Sequence, residues 1–134
     1  MSRRDLYHDS VRIALEKDGW KIMDKVTSYQ KIILELLQEY ADIKKTITPG
    51  VKSQLIVDKD NHHYQLLSIG WHNNRFIYTI AFHFDILDDK VWIQQNNTDV
   101  LIADELEEKG VAKSDIVLGF VPEKARSYGG YGVS

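Results

Sequence analysis

The sequence predicts an α+β fold, with an antiparallel meander sheet of four to five strands and a long helix packed on one face. Three observations predict it. Residues 24–43 carry apolar side chains at spacings of three and four. Residues 53–94 hold four β-rich runs separated by short polar turns. One of those runs, "FIYTIAFHFDIL", alternates between apolar and more polar positions, which gives a sheet one greasy face. Helices laid against that face complete the assembly. At 134 residues the chain suits one domain with a modest core.

In chain order, residues 3–18 predict an added N-terminal helix, with Tyr7, Val11, Ala14 and Leu15 on one face. Asp18-Gly19 stops it, and Trp20 to Ile22 follow as extended or irregular chain. In the long helix, Val26, Tyr29, Ile33, Leu36, Tyr40 and Ile43 form a seam, widened by Ile32 and Leu37. A seam under three heptads long favours packing on a sheet or a partner helix over an isolated coiled coil. "TITPGV" ends it, because proline restricts the residue before it and glycine permits the turn.

The strands are expected at 53–58, 63–71, 76–87 and 90–94. The turns between them are "KDNH", "HNNR" and "DD", too short for anything but hairpins. Within 76–87, Tyr78, Ile80, Phe82, Phe84 and Ile86 should share the core face, and Thr79, Ala81, His83 and Asp85 the other. Thr98 is a candidate N-cap for a helix over 99–109, with Gly110 past its end and Val100, Leu101, Ala103 and Leu106 on its apolar side. "SDIVLGF" (114–120) is a further strand or extended segment, and "PEKARSYGGYGVS" has the glycine content of a flexible end.

Composition excludes several function classes. The chain has no cysteine, which removes disulfides, thiolate zinc sites and cysteine nucleophiles. Its net charge of −3 gives no general attraction to nucleic acid, so strong direct DNA binding is not expected, although one basic face is left open. The first ten residues lack the apolar stretch of a signal peptide, and no apolar run approaches the roughly 20 residues of a membrane span. The expectation is a cytoplasmic protein with no membrane contact.

Five histidines are present. His62, His63 and His72 lie in or beside turns, where a solvated role is the plainer reading. His83 and Asp85 are more pointed, since an i, i+2 pair on a strand projects to one face. They could form a base with its orienting carboxylate or part of a metal site. A metal wants three or more ligands, and periodicity alone supplies no third; a hydrogen-bonded sheet histidine is the plainer reading. "DILDDK" lacks the glycine and spaced glutamate of an EF-hand and reads as a turn. Trp20, Trp71 and Trp92 could stack on bases with Arg75 nearby, but core packing is the expected fate of most. No phosphate loop, dinucleotide fingerprint, nucleophile elbow or two-histidine zinc helix occurs. No catalytic, cofactor or metal set is therefore assigned, and His83 and Asp85 stand as a speculative polar-face site.

From Met23 to about Val133 the chain resembles the XisI family. The stretches that carry the resemblance are "YQKIILELLQEYA", "DNHHYQLLSIGW", "HFDILDDKVWIQQNNTD", "IADELEEKGVAKSDIVLGF" and "PEKARSY". The resemblance implies an fdxN element excision controlling factor, acting in site-specific DNA rearrangement in heterocyst-forming cyanobacteria, beside a recombinase and a companion called XisH. The family brings no established catalytic residues to transfer. The preceding "RRDLYHDSVRIALEKDGWKI" resembles the opening of XisH, a protein similar to restriction-type nucleases, and the resemblance stops at Ile22. The metal-binding acids and lysine of such a nuclease have no counterpart here. Two parts are thus expected: 1–22 as an XisH-like helical remnant and 23–134 as the XisI-like domain. Joined to the acidic charge and the absent catalytic motifs, the resemblance implies a non-enzymatic adaptor without cofactors, with an XisH-like protein and/or a site-specific recombinase as partner. Self-association into a homo-oligomer is expected on a separate ground, the apolar face of the N-terminal helix. The alternatives are a partner or inhibitor of an XisH-type nuclease, and a small-ligand or metal-dependent enzyme using His83 and Asp85.

Overall fold

The computed structural model describes residues 24–44 and 48–134. The N-terminal helix expected over 3–18, and Trp20, lie outside the described residues. Helix α1 (Lys25–Lys44) is followed by strands β1 (Val51–Asp58), β2 (His63–His72), β3 (Arg75–Leu87) and β4 (Lys90–Asn96). Helix α2 (Ile102–Lys109), a 3-10 turn (Lys113–Asp115), strand β5 (Ile116–Leu118) and a second 3-10 segment (Glu123–Gly129) complete the chain. The sheet order is β1-β2-β3-β4-β5. The first four strands are antiparallel, and β5 runs parallel to β4. That parallel pairing needs a crossover, which α2 provides.

Asp24 starts α1: its carboxylate accepts the Thr27 N–H at 2.7 Å, filling one of the donors a helix start leaves open. This holds the Asp24 carboxyl below the usual carboxylate range. The predicted seam is the packed face, with Tyr29, Ile32, Ile33, Leu36 and Leu37 buried and Val26 and Tyr40 partly so. Ile43 departs from it and is half exposed. The helix lies against β1, β2 and β3 and meets α2. Beneath it sit Tyr64, Leu66, Phe82, Phe84, Ile86, Val91, Ile93 and Ile116. Buried polar groups in this layer are bonded: the Tyr29 hydroxyl donates to Asp115 Oδ2 at 2.6 Å, and Lys25 Nζ lies 3.1 Å from the same oxygen.

The β2–β3 and β3–β4 hairpins close through Asn73-Asn74 and Asp88-Asp89, all four at positive φ between 50° and 63°. Two consecutive left-handed residues define the hairpin turn whose twist matches that of the strands, and Asn and Asp tolerate it best after glycine. Gly70 has a different reason to be glycine. A Cβ there would come within 2.0 Å of the Gly50 carbonyl oxygen, where β2 passes the start of β1.

Three sequence expectations are corrected. The first is the face pattern of β3. From the turn, β2 and β3 pair regularly from His72↔Arg75 to Leu67↔Ile80, then the register slips so that Leu66 opposes Phe82. Ala81 is the residue left over, a β-bulge. Phe82, Phe84 and Ile86 face the helix as expected, but Ile80 and Tyr78 lie on the opposite face, because one extra residue reverses a period-two pattern. The second is the helix start. Thr98 does not cap α2, which begins at Ile102 after Leu101. Its hydroxyl accepts the Val100 N–H at 3.0 Å and donates to Asn96 Oδ1 at 2.6 Å, forming a local turn that competes with the helix. Leu101 is consequently exposed, and Ile102 joins Leu106 in the core. The third is the tail, which is held. Gly132 N–H donates to Ile116 O at 2.8 Å along the edge of β5 away from β4, and Lys90 Nζ donates to Val133 O at 2.8 Å. The guanidinium of Arg126 lies over the Trp92 ring at 5.1 Å.

Candidate functional site on the outer sheet face

The face turned away from α1 divides into two halves. One holds His63, Gln65, His83, Asp85 and Gln94. The other holds Trp71, Phe76 and Tyr78, each more than half exposed. The division follows from strand register. Asp85 opposes His63, and His83 opposes Gln65. Both pairings lie beyond the Ala81 bulge. Extending the regular register from the turn would have set His63 against Phe84, on the helix side; the bulge sets it against Asp85. A second slip, between β3 and β4, pairs His83 with Gln95 and Phe84 with Ile93, leaving Gln94 as the extra residue. Both bulges border the same cluster, a common use of the device.

Asp85 Oδ1 is 2.8 Å from His63 Nδ1 and 2.9 Å from His83 Nε2. Asp85 Oδ2 accepts from Gln94 Nε2 at 3.0 Å. Gln65 Nε2 lies 3.3 Å from His83 Nδ1. An ionised carboxylate only accepts, so both imidazole nitrogens facing Oδ1 carry hydrogen. Side-chain exposure falls from 52% at His63 to 27% at His83 and 11% at Asp85, so the cluster opens to solvent on the His63 side. Burial pushes the Asp85 carboxyl up, but hydrogen bonds from His63, Gln94 and His83, with the charge of His83, outweigh it and hold the group below its usual range. His63 moves the other way: its bond to Asp85 raises it above the ordinary imidazole value, against partial desolvation and with support from the charges of Asp85 and Asp58.

The sequence-derived pair of His83 and Asp85 is thus brought together, and His63 joins it as the third member that periodicity did not supply. The only local signal for His63 was its place at the head of β2; its partner depends on a bulge that no residue pattern announces. His62 turns instead toward the Tyr64 hydroxyl at 2.9 Å, and His72 toward Pro49 O at 3.1 Å, so neither joins the cluster. Trp71 is exposed rather than packed in the core and sits 5.3 Å from Phe76, which stacks in turn near Tyr78 at 6.4 Å. On the helix side, a cleft of about 250 Å³ is lined by Val51, Ser68, Ile77, Thr79 and Ala81.

The family model for "XisI protein" matches residues 23–133. This chain belongs to the XisI family. A solved XisI-like protein from Anabaena variabilis ATCC 29413 is 41% identical, with a TM-score of 0.75; the match covers 81% of this chain and 99% of that one. The fdxN element excision controlling factor XisI from the same organism is 29% identical, with a TM-score of 0.71, over 83% of this chain and all of that one. No curated protein matches the chain. Both solved relatives share the α+β architecture with its mostly antiparallel sheet. Among the described residues of this XisI-family chain, no helix is long and apolar enough to cross a membrane.

Proposed function

We propose that this XisI-family chain is an excision controlling factor that works through protein contacts and performs no chemistry of its own on DNA. The observation that carries this reading is the aromatic half of the outer sheet face. Trp71, Phe76 and Tyr78 are large, neighbouring and exposed on the β2–β3 hairpin. Aromatic side chains in such a cluster dominate the energetics of protein interfaces, because each buries much area at little entropic cost. The net charge of −3 argues in the same direction, since a duplex-binding surface draws its affinity from basic residues. The partner we assign is an XisH-type nuclease-like protein, which this chain supports or restrains during excision by a site-specific recombinase. The XisH-like opening of the sequence supports that pairing.

Copurification of the full chain with a tagged, full-length XisH-like protein tests the reading. Capture by the unaltered chain is expected, with Trp71→Ala and Tyr78→Ala each weakening it by about 2 kcal/mol or more. No capture of the unaltered chain would remove the assigned partner. A mobility-shift titration across salt tests the other arm. Tight DNA binding with a steep salt dependence would replace the adaptor by a DNA-binding protein.

A further inference from the structure

We propose that His63 Nδ1, His83 Nε2 and Asp85 Oδ1 together form a binding site for a divalent transition-metal ion of the zinc class. The three atoms lie within 4.8 Å of one another and converge from two adjacent strands onto one side of the sheet. Two imidazoles and one carboxylate suit zinc and its first-row neighbours; calcium and magnesium want an all-oxygen cage. With no cysteine in the chain, softer thiolate chemistry does not compete.

The surroundings supply what a bare triad lacks. A ligating carboxylate needs its second oxygen held, and Gln94 holds Oδ2 at 3.0 Å. A ligating histidine needs a partner for its other nitrogen, and Gln65 stands 3.3 Å from His83 Nδ1. Without metal, both histidines direct an N–H at Oδ1. To ligate, each presents the lone pair at that nitrogen and carries its proton on the other. For His83 that proton meets Gln65, whose carboxamide turns by half a rotation to offer its oxygen instead of its nitrogen. For the half-exposed His63 it meets water. The backbones of His63, His83 and Asp85 are all held in the β2–β3 ladder, so the three ligands are presented from one hydrogen-bonded frame. Three protein ligands leave at least one coordination position open on the solvent side, where a water or a donor from a partner protein completes the shell. The inference is independent of the adaptor reading and survives its failure.

Equilibrium dialysis of the full chain, stripped with chelator and exposed to zinc alone, is the test. One equivalent is expected to bind. His63→Ala, His83→Ala and Asp85→Ala should each weaken binding by at least the roughly 10–100-fold that loss of an outer-shell partner costs, and Gln94→Ala should fall within that range. His72→Ala, remote from the cluster, should bind as the unaltered chain does. Cobalt in place of zinc should give the intense visible absorption of a four- or five-coordinate site. Circular dichroism of each variant separates loss of a ligand from loss of fold, and His63→Ala, at an exposed strand end, is the variant that keeps its fold. The proposal is overturned by the absence of stoichiometric binding at tens of micromolar zinc, or by binding that a folded His63→Ala variant retains in full.

Discussion

At the scale of single residues, the structure repeatedly closes a polar group buried near the core onto a partner far away in sequence. Tyr40 is the clearest case. Its ring packs on Phe82 at a centroid distance of 5.4 Å, and its hydroxyl donates to the Glu105 carboxylate at 2.7 Å, tying α1 to α2. Burial, then the bond to Glu105, pushes the phenol up to about 12 from its ordinary 10.0. Between those values the native chain keeps a proton that the unfolded chain has released, so raising the pH there favours unfolding. The contribution is complete below about pH 10 and is lost as pH climbs through about 12. Tyr40→Phe should therefore cost about 1–2 kcal/mol at neutral pH, measured by urea unfolding. It should also flatten the alkaline decline in stability; an equal decline in both proteins would show that Tyr40 is not its source.

At the scale of elements, local turn chemistry and a single extra residue decide which side chains share a surface. The turn at Asn73-Asn74 fixes where β2 and β3 begin to pair, and the Ala81 bulge changes which faces meet after that. A β-branched residue in the left-handed region carries a steric cost of about 1–2 kcal/mol, so Asn73→Val should destabilise by that amount. Asn74→Gly should stay within about 0.5 kcal/mol of the unaltered chain. Thermal unfolding of the two variants side by side checks this, and equal losses in both would mean that the turn's conformation differs from the one described. The helix α2 belongs to the same scale. It has no side-chain N-cap, and its C-terminal end is closed by Gly110, whose N–H donates to Glu107 O at 3.1 Å. Packing of Ile102 and Leu106, together with the contacts to α1, holds it in place.

At the scale of the whole molecule, α1, all five strands and α2 form one layered unit, and its core draws on each of them. The fragment from Met23 to Ser134 contains that unit entire. Cooperative thermal unfolding is expected when residues 2–22 are deleted, and a non-cooperative melt would make the first segment integral to the fold. The same fragment addresses assembly. The spacing of Tyr7, Val11, Ala14 and Leu15, outside the described residues, predicts an apolar stripe on a helix. Such a stripe favours symmetric pairing with a second copy. Sedimentation of the full chain should then report a larger species than sedimentation of the fragment. Identical states for both would sink that expectation.

The class of the fold, the seam of α1, the four antiparallel strands and their two tight turns were legible in the amino-acid order alone. Each of these is written in short-range patterns: spacings of three and four, alternation by two, and residues that accept positive φ. That order also placed His83 and Asp85 on one face, since residues two apart on a strand cannot do otherwise unless a bulge falls between them. Tertiary structure decided the rest. The bulge at Ala81 turned Ile80 and Tyr78 outward and set His63 opposite Asp85, because strand register is a relation between two segments that neither one encodes alone. The parallel placement of β5 and the anchoring of the tail at Gly132 likewise depend on partners far away in the chain: Val91 and Trp92 for the strand, Ile116 for the glycine. A period fixes which side a residue occupies within its own strand; only the packed sheet fixes what it meets there.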